Sequence, residues 1–139
     1  MSKPIFSYAL CDAWGNWIRK IAVYDRVLEN VLCSDDEFEI KYTLPESEIK
    51  KIYEIIIGFP FLISEQKILI EEHMVIDGTI NAFSFNAGDK EFKVRTFNLW
   101  YYENNSDKAP NAAVLLSAFK NISDVLIENG VDLRFLKLE

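Results

Sequence analysis

The fold is decided by one stretch, KILIEEHMVIDGTINAFSFNAGDKEFKVRTFN, which runs from Lys67 to Asn98. Three segments with strand-type alternation are separated here by two turn signals, Asp77-Gly78 and Ala87-Gly88-Asp89-Lys90. Asp-Gly is a strong signal for a two-residue hairpin, because a type I′ turn needs positive φ at both central residues. The stretch therefore predicts a three-stranded antiparallel meander, with Gly78 at positive φ.

The two turns also fix a strand register that the side-chain pattern supports. The cross-strand pairs predicted are Ile70–Phe85, Glu72–Phe83, Phe85–Phe92, Phe83–Val94 and Asn86–Glu91. Alternation then places a polar set on the opposite face of the sheet: Glu71, His73, Ala82, Ser84, Lys93 and Arg95. The pattern changes past Val94, since Phe97 falls on the polar face. Either a bulge after Arg95 or a cover on both sides of the sheet explains this change.

The regions on either side of the meander supply further strands and two helices. Trp17–Tyr24 is predicted as a strand, whereas residues 25–33 suit either a returning strand or a helix. Clean alternation predicts a strand over Phe38–Leu44. Pro45 then suits the first turn of a helix that ends at Gly58, with Ser47 or Thr43 as its cap.

The last part of the chain contains the clearest helix pattern, which opens at Pro110 and ends at Gly130. Leu133–Leu138 is predicted as either a short edge strand or a packed tail. There are no repeats, low-complexity segments or linkers, so residues 1–139 are predicted to form a single domain. The expected fold class is α+β, with a mostly antiparallel sheet of five to six strands and two helices packed on one face. The predicted core contains Ile40, Tyr42, Leu44, Ile52, Ile56, Ile70, Phe83, Phe85, Phe92, Val94, Leu116, Phe119 and Leu126.

Composition indicates a folded protein outside the membrane. Half of the 139 residues are hydrophobic, and ten are Phe. The longest apolar stretch, Ile52–Ile63, is interrupted by polar and helix-breaking residues and is far short of the roughly 20 residues that a membrane helix needs. No signal-peptide pattern follows Met1. We therefore expect a cytoplasmic protein in which Cys11 and Cys33 are reduced thiols.

Charge is concentrated in one window. The net charge is −7, and the stretch from Glu29 to Glu48 holds seven acids and one base, Lys41, so it alone contributes −6. This sign disfavours nucleic-acid binding and favours a basic protein partner. The alternative is a solvated acidic surface that only aids solubility.

No residue cluster in the sequence specifies a reaction. Phosphate-binding loops, Cys-x-x-Cys pairs and zinc-protease motifs are missing, and with two Cys and one His a metal site is not expected. No cofactor is predicted either. His73, with Glu71 and Arg95, is the one set of residues suited to acid–base work, as in a small hydrolase or isomerase. An ordinary polar sheet surface is the favoured interpretation of these three residues.

The acidic window and the aromatic residues beside turns are the predicted contact surface. Trp and Tyr are over-represented as interface anchors. Trp17 and Trp100 are expected in the core, since they suit packing where a sheet end meets a helix. The residues predicted to touch a partner are Asp35, Asp36, Glu37, Glu39, Glu46, Glu48, Trp14, Tyr101 and Tyr102.

The strand and helix from Phe38 to Ile56, followed by a hairpin and a final helix, resemble the element pattern of small bacterial α+β domains. That class includes many immunity proteins of toxin–immunity systems. The resemblance implies a non-enzymatic protein-binding module, most concretely an immunity protein that neutralises a basic toxin such as a nuclease. The alternatives are the hydrolase or isomerase above and a binder of a small apolar ligand between sheet and helices.

Overall fold

A computed structural model describes residues 3–64, 68–72 and 78–138 of the protein. Its strands are β1 (Phe6–Cys11), β2 (Trp17–Val23), β3 (Val31–Asp35), β4 (Glu39–Tyr42), β5 (Ile80–Ala87) and β6 (Lys90–Phe97). The helices are α1 (Glu46–Ile57), α2 (Pro60–Ile63) and α3 (Pro110–Glu128), with 3₁₀ turns at Leu99–Asn104, Ser106–Lys108 and Leu133–Leu136. All six strands form one antiparallel sheet in the order β4-β3-β2-β1-β5-β6. The expected α+β class is confirmed.

The β5–β6 hairpin has the register that its turn predicts. Phe85 pairs with Phe92, and Phe83 pairs with Val94. Pairing continues one step beyond the predicted loop, to Ala87 and Lys90, so the turn has two residues rather than four. Gly88 adopts φ +61° in this turn, which a residue without a Cβ does at little cost. The ladder runs without a shift to the pair Ile80–Phe97, so of the two explanations for the changed pattern past Val94, the bulge after Arg95 is not formed.

The predicted meander is wrong at its first strand. Residues 68–72 are not in a strand, and Lys67 and residues 73–77 lie outside the described residues. The place beside β5 is taken by β1, which pairs Phe6 with Phe85 and Tyr8 with Phe83. Since β1 also pairs with β2 on its other side, the N-terminal segment becomes a central strand with both edges hydrogen-bonded. Ile70 and Glu72 therefore do not face Phe85 and Phe83.

The prediction that Gly78 has positive φ depends on the backbone of Asp77, which lies outside the described residues. The described structure shows a separate need for glycine at this position, which is the close approach of the Asn98 side chain. A Cβ built on Gly78 would lie 2.7 Å from Cγ of Asn98. The buried Asn98 accepts a hydrogen bond from the backbone N–H of Thr79 at 2.9 Å, so it has no freedom to retreat.

Of the two elements expected over residues 25–33, the returning strand forms only in part and the helix does not form. Residues 24–30 are a loop, and the returning strand β3 begins only at Val31. The loop is anchored by Asn30, whose amide donates to the carbonyl of Leu44 at 2.9 Å and accepts from its N–H at 2.8 Å. These bonds place the start of α1 beside the loop.

Helix α1 begins where Pro45 predicts, but neither Ser47 nor Thr43 caps it. Pro45 itself occupies the N-cap position, and its carbonyl accepts from the N–H of Glu48 at 2.9 Å. Thr43 instead accepts a hydrogen bond from the N–H of Glu29 in the neighbouring loop. The helix ends at Gly58, as predicted.

The core lies on one face of the sheet, called here the inner face. Phe119 of α3 packs against Tyr8 and Phe83 at ring-centroid distances of 4.8 and 5.4 Å, and Ile52 and Ile56 of α1 are fully buried in the same cluster. Both long helices thus pack on one face, as predicted. Seven predicted core residues are buried, namely Leu44, Ile52, Ile56, Phe83, Phe85, Phe119 and Leu126. The other six are half-buried, namely Ile40, Tyr42, Ile70, Phe92, Val94 and Leu116.

The C-terminal segment is a packed tail rather than an edge strand. The amide of Asn81 on β5 donates to the Tyr8 hydroxyl at 3.1 Å and to the carbonyl of Leu138 at 2.9 Å. The Tyr8 hydroxyl donates to the carbonyl of Lys137 at 2.8 Å. Burial raises the pKa of Tyr8 well above its usual value, so it stays neutral in this network.

Candidate partner-binding site

Trp14 stands on a hydrogen-bonded turn between β1 and β2. Asp12 accepts hydrogen bonds through Oδ1 from the N–H groups of Trp14 and Asn16, both at 2.9 Å. These bonds lower the pKa of Asp12, with the Asn16 N–H as the largest cause. Gly15 completes the turn at φ +87°. The Trp14 side chain is 86 % exposed, the largest fraction for a large apolar side chain among the described residues.

The acidic turn between β3 and β4 is built in the same way. Oδ1 of Asp35 accepts from the N–H of Glu37 at 2.8 Å and from that of Phe38 at 3.0 Å. These two bonds, that of Phe38 first, lower the pKa of Asp35. Asp35 is therefore part of the turn's scaffold, whereas Asp36 and Glu37 are exposed. The latter two carboxylates are the ones available to a partner.

Strand register brings these two turns to the same end of the sheet. Leu10 on β1 pairs with Arg19 on β2, and Arg19 pairs in turn with Asp35 on β3. The β1–β2 turn and the β3–β4 turn therefore project side by side. We call this region, comprising Trp14, Asp36 and Glu37, the Trp14 end of the sheet. It combines one exposed aromatic side chain with two exposed carboxylates.

The rest of the acidic window does not join this cluster. Strand β4 lies between the Asp35–Glu37 turn and helix α1, so Glu46 and Glu48 sit beyond the opposite end of that strand. The six acids predicted to touch a partner therefore do not all lie at one end of the sheet, because the extended strand β4 separates them. Glu48 also lies 2.8 Å from the Lys51 ammonium, which is the largest cause of its lowered pKa. Glu39 pairs with Lys41 at 3.8 Å.

The other aromatic residues for which the sequence predicts a role differ in how deeply they are buried. Tyr102 is 7 % exposed and belongs to the core, so it is not a contact residue. Burial is the main cause that raises the pKa of its hydroxyl. Tyr101 is half-buried with its ring 5.2 Å from that of Tyr102, in an edge-on arrangement. Trp17 and Trp100, expected in the core, are instead 44 % and 41 % exposed.

The set of residues suited to acid–base work is not assembled in the described structure. Oε1 of Glu71 accepts from the N–H of Asn111 at 2.7 Å and of Ala112 at 3.3 Å, so it caps the N-terminus of α3. That helix packs on the inner face, whereas Arg95 lies on the opposite face of β6. The structure therefore separates Glu71 from Arg95, and His73 lies outside the described residues. Among residues 3–64, 68–72 and 78–138, no group of three or more His, Cys, Asp or Glu is placed to hold a metal ion.

A groove of about 550 Å³ with a mixed apolar and polar lining runs between α3, the 3₁₀ turn at Leu99–Asn104 and the C-terminal tail. The predicted apolar-ligand site was expected between the sheet and the helices, which is a different place. Ser123 lines this groove and is 6 % exposed, and its hydroxyl has no hydrogen-bond partner within the described part of the chain.

Sequence reasoning missed Asp12 and Lys20. Asp12 begins the segment Asp12-Ala-Trp-Gly-Asn16, in which an acid followed by Gly-Asn is typical of a side-chain-capped turn. This signal was sufficient to place Trp14 on a side-chain-capped turn. Lys20, whose ammonium lies 4.2 Å from the centre of the Trp17 ring, gave no local signal, because its neighbours across the sheet come from distant segments.

Both cysteines are buried and unbonded. Burial raises the pKa of the Cys33 thiol to about 12, so it is unreactive at neutral pH. In the residues that the structure describes, no helix combines the length and the apolar character that crossing a bilayer requires. No protein-family model matches the chain, and comparisons with curated proteins and with solved structures gave no match.

Proposed function

We propose that the chain is a non-enzymatic module that binds a basic protein partner through the Trp14 end of the sheet. The most concrete form of the proposal is a cytoplasmic immunity protein that neutralises a basic toxin, such as a nuclease. One observation carries it, namely that Trp14 is 86 % exposed on a turn whose neighbour presents Asp36 and Glu37. The two buried, unbonded cysteines accord with a reducing compartment.

The chemistry of this end suits protein recognition. An exposed Trp is the side chain most often found as an energetic anchor in interfaces. Three hydrogen bonds already fix the turn that carries it, namely those from Trp14 and Asn16 to Asp12 and that from the N–H of Gly15 to the carbonyl of Asp12 at 3.0 Å. Binding therefore orders little further backbone, which lowers the entropic cost of association. The exposed carboxylates beside it steer a positively charged partner and raise the association rate.

The test begins with capture of the partner from the native host, followed by association kinetics with the purified partner at two salt concentrations. Trp14→Ala is expected to raise the dissociation rate at least tenfold. Asp36→Lys with Glu37→Lys is expected to slow association at low salt and to weaken its salt dependence. Asp35 is left intact in this variant because it holds the turn together.

The control is a double charge reversal on the exposed helix surface, Glu54→Lys with Asp124→Lys, which changes net charge by the same amount. It should leave association within about twofold of the unmodified chain. Unchanged kinetics in both turn variants, with melting curves like that of the unmodified chain, would remove the Trp14 end as the contact surface. A captured partner that is acidic would contradict the proposed partner chemistry.

A further inference from the structure

The face of the sheet opposite the core, called here the outer face, is positively charged in an acidic protein. Two transverse rows of side chains cross it from β4 to β6. The first row is Glu39, Ser34, Lys20, Ala9, Ala82 and Arg95, and the second is Lys41, Leu32, Ala22, Ser7, Ser84 and Lys93. These rows contain four cations and one acid, which gives +3 on a chain whose total is −7.

Small side chains make a trough of this face. On the three central strands β2, β1 and β5, the floor consists of Ser7, Ala9, Ala22, Ala82 and Ser84. Lys20 borders the floor on one side, and Lys93 and Arg95 border it on the other. The resulting groove has a volume of about 510 Å³. The described α-helices pack on the inner face and leave this groove open.

The cations that border the trough are only weakly neutralised. The ammonium of Lys93 lies 3.8 Å from the Glu91 carboxylate, and that of Lys20 rests on the Trp17 ring. The Arg95 guanidinium has no ion pair within the described part of the chain. An anionic ligand would therefore meet positive charge on both sides without first displacing a strong salt bridge.

We propose that the outer face docks an acidic α-helix of another protein, laid along the trough between Lys20 on one side and Lys93 and Arg95 on the other. Lys20 stands on β2 and Arg95 on β6, three strand spacings away, which is roughly 14 Å. An α-helix with side chains is roughly 10–12 Å across and fills that width. Glutamates on its two flanks meet the cations, while an alanine-type face rests on the small, mostly apolar floor. The floor has no aromatic side chain on which a base could stack, and the Trp17 ring beside it is covered by the Lys20 ammonium, so a protein helix fits better than single-stranded nucleic acid.

This inference does not rest on the Trp14 end, and it is tested separately. The probe is a fluorescein-labelled 20-residue peptide that forms a helix with one alanine face and glutamates on both flanks. The matched probe has lysine at every glutamate position. Fluorescence anisotropy with the full chain at 50 and 150 mM salt is expected to show at least tenfold tighter binding of the glutamate peptide.

Two variants separate the trough from simple charge attraction. Lys20→Glu with Arg95→Glu is expected to weaken glutamate-peptide binding at least tenfold, while Lys50→Glu with Lys120→Glu, on the exposed helix surface, leaves it within twofold. Ala82→Leu fills the floor without changing charge and is expected to weaken binding at least fivefold. Melting curves verify folding, and Lys20→Gln with Arg95→Gln replaces the charge reversal if that variant is unfolded. Asp36→Lys with Glu37→Lys is expected not to weaken binding.

Several results would overturn the proposal. One is equal binding of the two peptides by the unmodified chain, and another is an equal loss in the Lys50/Lys120 control. Tighter binding of a 12-nucleotide single-stranded RNA than of the glutamate peptide would assign the face to nucleic acid. Self-association of the chain in sedimentation that is lost in the Lys20/Arg95 variant would assign it to contact between copies.

Discussion

At the scale of single residues, Gly78 shows a requirement for glycine that neighbouring residues do not reveal. The Asp-Gly pair predicts positive φ, whereas the structure shows a need for space beside Asn98, which itself adopts φ +51° and is fully buried. Gly78→Ala is therefore expected to destabilise the fold by about 2 kcal/mol or more, because the buried Asn98 side chain must give up its hydrogen bond from the Thr79 N–H to admit a Cβ. The measurement is the free energy of unfolding in urea, compared between Gly78→Ala and the unmodified chain. The same substitution in an Asn98→Gly background should cost less than about 0.5 kcal/mol, and an equal cost in both backgrounds would show that Asn98 is not the obstacle.

Glu71 is the residue whose role changes most between sequence and structure. It serves as the N-terminal cap that α3 lacks in its own flanking sequence, since the cap residue Ala109 has no side-chain acceptor. Glu71→Ala is expected to cost about 1–2 kcal/mol, through the lost hydrogen bonds and the lost charge at the helix N-terminus. Glu71→Gln, which keeps the oxygen, should cost less. Glu72→Ala is the control at an exposed neighbour and should stay within about 0.5 kcal/mol in chemical denaturation.

At the scale of elements, features encoded by neighbouring residues were predictable and long-range pairings were not. The turn at Gly88 fixes the β5–β6 register within a few residues, and Pro110 and Gly130 mark the ends of the α3 pattern. Nothing in the alternation of residues 67–72 distinguishes a strand from an extended segment. The place beside β5 is instead occupied by β1, because its Phe6 and Tyr8 bury large rings against Phe85 and Phe83.

In the candidate site, too, local features were predictable from the sequence and long-range proximity was not. Trp14 and the acids at Asp36 and Glu37 were identified from residue type and turn position, but their proximity depends on the sheet order. Glu46 and Glu48 were grouped with them because they are close in sequence, and an extended β4 separates them. The cationic outer face was not predictable as a unit, because its residues come from six different strands.

The loop at residues 24–30 is anchored to the start of α1 by the buried side chain of Asn30, and the contribution of this side chain can be tested. Asn30 is 1 % exposed, and its amide satisfies both backbone groups of Leu44 just before α1. Asn30→Ala leaves a buried N–H and a buried C=O without partners, and the expected cost is about 3 kcal/mol. Asn30→Asp keeps the acceptor and loses the donor. Its free energy of unfolding in urea should therefore lie between those of Asn30→Ala and the unmodified chain. Equal stability of Asn30→Ala and the unmodified chain would show that water replaces the amide.

At the scale of the whole molecule, three acidic side chains that brace turns predict how stability depends on pH. Hydrogen bonds lower the pKa values of Asp12, Asp35 and Asp132, the last mainly through the Arg134 side chain at 2.7 and 2.8 Å. A carboxyl whose pKa is lower in the folded state stabilises the fold fully above its unfolded pKa, near 4 for Asp, and loses that contribution as pH falls through the folded value. Stability is therefore expected to decrease as the pH falls below about 4.

The triple variant Asp12→Asn, Asp35→Asn, Asp132→Asn tests this expectation. It should be less stable than the unmodified chain at pH 7, because an amide oxygen is a weaker acceptor than a carboxylate. That difference should shrink towards zero by about pH 2, where the carboxyl groups of the unmodified chain are protonated. Asp36→Asn with Glu37→Asn is the control, since neither side chain accepts a hydrogen bond from the described residues, and it should change stability little at either pH. A difference of the same size at pH 7 and pH 2, from urea unfolding in matched buffers, would show that the Asn substitutions act through packing rather than through charge.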